Sequence, residues 1–146
     1  MSPYRHTQIG YVASCALGVA CLLIMYRMFG RADGIALHQV VALVILVACL
    51  LTFSSMTIEI RDGYLSWWFG FGLIRKSVPL VHLVRGSLVE IRWYHGWGIH
   101  LTSNGWLYNV SGFRAVELRR SDGTSFQLGT DEPEVLLAAV MTHIME

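Results

Sequence analysis

Two stretches of this chain carry no charged side chain, Ile9 to Met25 and Gly34 to Thr57. At about 1.5 Å rise per residue, even the shorter one covers roughly 26 Å as a helix, close to the ~30 Å hydrocarbon layer of a bilayer. In lipid every backbone N–H and C=O must find its partner within the segment, so both stretches are expected to be helical. The polar turn GRADG between them makes a transmembrane hairpin of residues 1–56, with spans at about 9–29 and 35–55. Ahead of residue 57 the only charges are Arg5, Arg27, Arg31 and Asp33. The whole chain is 14% charged, against about 25% for an ordinary soluble domain. Core helices of a soluble protein would need more covering surface than the remaining ninety residues supply. Two lipoprotein-like boxes, VASC at 12–15 and LVAC at 46–49, do not make a cleaved signal. The first lacks an apolar stretch ahead of it and the second follows an entire earlier span.

Within the hairpin, Gly10, Ser14 and Gly18 recur every four residues. Small residues at that spacing let helix backbones approach closely, which makes the three candidate helix-packing positions, toward the second span or another copy of the chain. His38 and Gln39 lie about one turn into the second span, facing headgroups or bonding across helices. A proton-relay role has no intramembrane carboxylate to work with, which argues against transport. Cys15, Cys21 and Cys49 all fall within the spans, leaving neither a disulfide framework nor zinc-ligand spacing in the remainder.

From residue 57 onward the period changes to two. MTIEIR alternates apolar and polar residues, Asp62-Gly63 is a hairpin turn, and YLSWWF follows. GFG turns into LIRKSV, and Pro79 closes that strand. SLVEIRWY puts Val89, Ile91 and Trp93 on one face, which places Trp93 in the core. GIHLT and WLYNV flank the turn Ser103-Asn104-Gly105, and SDG joins AVELR to SFQLG. After Gly129 the pattern is helical: Thr130 or Asp131 can cap, Pro133 suits the first turn, and Leu136, Leu137, Val140, Met141 and Ile144 make one apolar stripe. The expected fold class is α+β, a bent antiparallel sheet of seven or eight short strands with a C-terminal helix over its open end.

The strings FGFGLIRKSVPL, GWGIHLTSNGWLYNVSG and AVELRRSDGTSFQLGTDEPEVL resemble a family of small bacterial membrane-anchored pleckstrin-homology-like proteins. The resemblance implies a pleckstrin-homology-like domain over 57–146, no chemistry of its own, and a homo-oligomer. It also places the globular part on the cytoplasmic side of the bacterial inner membrane. Charge alone decides little, with Arg5 and Arg61 at one end of the spans against Arg27 and Arg31 in the turn.

Residues 93–112, WYHGWGIHLTSNGWLYNVSG, hold three tryptophans and two histidines, yet they do not spell a catalytic site. His95 and His100 have no carboxylate or cysteine nearby in sequence, so no metal is expected. Ser111 lacks the glycine that a nucleophile elbow requires, and Glu90 and Glu117 stand apart in separate strands. An undetected hydrolase would instead bring His95, His100 and Glu90 into one cleft. Residues 57–146 carry eight Lys and Arg against nine Asp and Glu, which gives no footprint for nucleic acid. The expectation is a non-enzymatic module without cofactor or metal, acting as a self-associating scaffold or adaptor at the membrane. Its candidate contact surface is Arg75, Lys76, Trp97 and Trp106. The alternative is a sensor of anionic lipid headgroups beside its own anchor, using Arg75 and Lys76.

Overall fold

The apolar helices leave the globular head from between two paired strands. In the computed structural model, which describes residues 4–30 and 34–144, Tyr4–Ile9 forms strand β1 and runs into helix α1, Tyr11–Phe29. Helix α2, Leu37–Phe53, returns alongside it and passes into strand β2, Ser55–Arg61. β1 and β2 are antiparallel partners from Tyr4↔Ile60 to Ile9↔Ser55. Only Gly10 and Ser54 separate strand pair from helix pair, and the Gly10 N–H donates to the Ser54 carbonyl at 2.8 Å. The two helices are thus an insertion into a β-ladder, with no flexible linker between stem and head.

The sequence pattern places Tyr4–Ile9 in the hairpin and its approach, whereas in the structure they are sheet. The inward-facing positions of β1 are Tyr4, His6 and Gln8, so the alternation carries no apolar signal. Polar bonds hold the strand instead. The Tyr4 hydroxyl donates to Glu132 (2.9 Å), His6 sits between Asp131 (2.6 Å) and Glu132 (3.2 Å), and Gln8 Nε2 donates to the Gly129 carbonyl (2.6 Å). Burial and the Glu132 carboxylate push the Tyr4 phenol well above its usual range, keeping it a donor.

Among the described residues α1 alone is long and apolar enough to cross a bilayer; α2 has 17 residues and is the shorter. The span expected over 35–55 is thereby trimmed at both ends. Gln39 Oε1 accepts the Ala36 N–H at 3.2 Å, serving the start of its own helix rather than bonding across to α1.

β2 continues into β3, Tyr64–Phe69, and β4, Ile74–Pro79, giving one antiparallel sheet in the order β1-β2-β3-β4. The second sheet holds β5, Leu83–Glu90; β6, Gly98–Thr102; β7, Gly105–Asn109; β8, Arg114–Arg120; and β9, Ser125–Gly129, in the order β5-β8-β9-β7-β6. One bent antiparallel sheet was expected. The strands divide into two instead, and β7 runs parallel to β9 through Trp106↔Phe126 and Tyr108↔Leu128. The inner faces meet in a core where Trp67 stacks on Phe126 (5.0 Å, 15°) and meets Tyr108 edge-on (5.1 Å). Helix α3, Pro133–Ile144, buries Leu136 and Val140 against β5 and β8. Trp93, expected in the core, is 80% exposed. β5 ends at Glu90 and a 3-10 turn at Trp93–His95 swings the ring outward.

Candidate functional site

The end of the head that meets the stem is built from the β3–β4 turn. Gly70, at φ +49°, packs so closely on the last turn of α2 that an added Cβ would lie 2.3 Å from the Leu51 carbonyl oxygen and 2.8 Å from that of Thr52. Its N–H donates to the Ser55 carbonyl at 2.9 Å. Just below, the Phe53 and Phe69 rings meet at 5.4 Å. The turn is therefore clamped against the helix, and it holds out Phe71 (84% exposed) and Leu73 (80% exposed) beside the stem. Val81 and Trp93 are as exposed elsewhere on the head; what sets Phe71 and Leu73 apart is that they are neighbours on one turn held against the last turn of α2.

One ladder row further into the head, on the outer face of the first sheet, Thr7, Thr57, Trp68 and Arg75 stand side by side. The Arg75 guanidinium lies 4.7 Å from the Trp68 ring centroid and that of Arg5 lies 5.7 Å from it. Arg5 is within 4.0 Å of Glu59, an exposed pair of small energetic weight. At about 3.4 Å per strand residue, Trp68 and Arg75 lie roughly 3–7 Å from the apolar tip, and Arg5 reaches toward them from two residues further along β1. The headgroup layer on each side of a bilayer is similarly thick, about 5–8 Å.

The residues singled out from sequence do not form one surface. Arg75 lies on this outer face. Lys76, its neighbour, points to the inner face and lines, with Trp106, a separate cleft between the sheets. Trp97 is half-buried in the β5–β6 connection, where its carbonyl faces His100 Nε2 at 2.7 Å. Gly10 belongs to the joint rather than to a helix face: an added Cβ would meet the Val110 carbonyl at 2.8 Å and that of Phe53 at 3.0 Å. Gly18 has open space at its Cα, and the buried Ser14 hydroxyl finds no partner oxygen or nitrogen. Trp68, Phe71 and Leu73 were missed. The signal for Phe71 and Leu73 was available in FGFGL, where a turn carries two large apolar residues that no strand needs.

Elsewhere, Glu90 and His95 line a shallow cleft with Arg92, Tyr94 and Asn104, but His100 is not among its walls. No group of three His, Cys, Asp or Glu suited to a metal ion occurs among the described residues. No protein-family model matches the chain, and no curated protein does either.

Proposed function

We propose that this protein is a two-pass membrane-anchored, non-enzymatic module with a pleckstrin-homology-like head whose stem-side end rests on the anionic surface of the bilayer. The observation that carries the reading is the Gly70 clamp. It fixes Phe71 and Leu73 at the level of the last turn of α2, so a bilayer that holds α2 also receives the turn. Trp68 with Arg5 and Arg75 then falls in the headgroup layer, where indole rings and cations near phosphates are favoured, at about 1 kcal/mol per basic residue. The stem supports the same reading. α1 and α2 expose Val12, Val19, Leu22, Leu23, Val44 and Ile45 among other apolar side chains, and α1 buries only Cys21 and Met28. That surface is stable in lipid and prone to aggregation in water.

Two helices are needed although α2 is short. Both ends of the insertion return to adjacent strands, so a chain whose α1 crosses must cross back. The 17 residues of α2 give about 26 Å, a mismatch that local thinning and flanking residues absorb at modest cost. The pleckstrin-homology-like reading keeps the strands-then-helix order, while the parallel β7–β9 pair departs from a simple meander. The family resemblance and the absence of cysteine from residues 57–146 favour a cytoplasmic head. Of the three small residues spaced along the first span, only Gly18 has open space for a second copy, and the lipid-facing reading is preferred over a self-associating scaffold.

Single cysteines at positions 71, 73 and 81, in a background with Cys15, Cys21 and Cys49 changed to Ala, test the placement. Val81 is 82% exposed in the turn after Pro79, at the opposite end of β4. With a polarity-sensitive fluorophore on the full chain in anionic liposomes, F71C and L73C should be blue-shifted and quenched by brominated lipid, and V81C should not. Equal, water-like emission at all three sites would refute it.

A further inference from the structure

Between the edge strand β4 and the β6–β7 hairpin, the two sheets part to leave a cleft of about 440 Å³. Trp67 and Tyr108 form part of its wall with Val78 and Ile99, while Trp106 (49% exposed) flanks it. Two cations reach it from core-facing positions, Lys76 on β4 and Arg120 at the end of β8. Arg120 lies over the Phe126 ring at 5.1 Å, and its buried Nε–H has no acceptor. The indole N–H of Trp67, itself 2% exposed, also has none. Among the described residues no Asp or Glu lines the cleft. Asp122 is the carboxylate nearest in sequence. It lines the adjoining depression that shares Arg120, and it is engaged by the N–H and hydroxyl of Thr124 at 2.8 and 2.6 Å.

The cleft therefore offers aromatic faces, hydrogen-bond donors and two positive charges. We infer that it is a binding site for a small soluble anion bearing a flat apolar group, its charge held by Lys76 and Arg120 and its ring against Trp106 and Ile99. The volume falls within the ordinary range for small-molecule sites, which pair mostly apolar walls with a few placed polar groups. A cation beside an aromatic wall also favours the planar guanidinium for a carboxylate or phosphate. The location argues for a ligand from solution rather than from the bilayer. Val110 touches Gly10 at the stem joint, and Trp106 is four residues up β7, about 14 Å further from the stem. A lipid would have to leave the bilayer by that distance to cover Trp106, although Lys76 stands only one residue beyond Arg75, which makes a lipid headgroup the rival source to be tested. An inward-pointing lysine on an edge strand also blocks edge-to-edge pairing, but that role requires neither Arg120 nor Trp106.

The probe is 1-naphthyl phosphate, titrated by calorimetry into the full chain in phosphatidylcholine nanodiscs, with 1-naphthol and inorganic phosphate as comparators and empty discs subtracted. Saturable binding at least tenfold tighter than either comparator is expected. Lys76→Met and Trp106→Ala should each weaken it tenfold or more, while Arg75→Gln, on the opposite face of the sheet, leaves it unchanged. Absence of saturation by about 1 mM, equal binding of naphthol, or indifference to Lys76→Met would each overturn the assignment. Displacement of the probe by phosphatidylglycerol placed in the same discs would give the cleft to a lipid headgroup and overturn the soluble source. The cleft can fail this test while the tip still enters the bilayer, because it shares no residue with Phe71, Leu73 or Trp68.

Discussion

Trp67→Ala should lower the stability of the head by about 3–5 kcal/mol, the range for removing a large aromatic from a packed core. Trp67 stacks on Phe126 of the second sheet while meeting Tyr108 edge-on, so it joins the two sheets rather than merely filling one. For a head of about this size each kcal/mol is worth roughly 4–8 °C, and the melting temperature should fall by at least ~12 °C. Trp67→Phe should cost far less, about 1–2 kcal/mol, because the indole N–H has no partner to lose and a phenyl ring keeps the stack. Circular dichroism melts of the two variants in one detergent check both values. Equal losses would mean that the indole N–H is bonded after all and that packing is not what Trp67 supplies.

Gly70→Val should cost about 3 kcal/mol or more and also loosen the head from the stem. A residue with a Cβ at φ +49° pays roughly 1–2 kcal/mol. Here the Cβ also runs into the carbonyls of Leu51 and Thr52, which are backbone and cannot swing aside. Gly72→Val is the internal comparison. It too has positive φ (+91°), but the nearest atom to its added Cβ is Trp68 Cδ1 at 3.9 Å, so only the conformational penalty applies. Amide exchange over residues 70–73 and 51–55 should rise sharply in Gly70→Val and stay near the parent level in Gly72→Val. Matching exchange in the two variants would show that the clamp does not hold the turn to α2.

What could be read from sequence divides along physical lines. Strands with an apolar face, such as Ile58-Ile60 on β2 or Val116-Leu118 on β8, announce themselves by alternation, and α3 by its caps and stripe. β1 did not, because its inner positions are Tyr4, His6 and Gln8 and its partners at 129–132 are more than 120 residues away. The parallel β7–β9 pair is equally silent, since neither strand records which neighbour it takes. Trp68 occupies an outward position of YLSWWF, and what marks it is the approach of Arg5 from β1, a contact that YLSWWF does not encode. Arg75 and Lys76 looked like one basic patch, but a strand sends adjacent side chains to opposite faces. That period assigns Arg75 to the surface beside the tip and Lys76 to the cleft between the sheets.

The central claim is that α1 and α2 both cross the membrane, with the head fixed at the end where they leave it. Single cysteines at Ile35, in the connection between the helices, and at Val81, at the far end of the head, decide it in cells expressing the otherwise cysteine-free chain. With a membrane-impermeant maleimide only one of the two positions should label in intact cells, and the other only after permeabilisation. Both labelling together, or both staying protected until the cells are opened, would put them on one side of the membrane and contradict the two-pass stem.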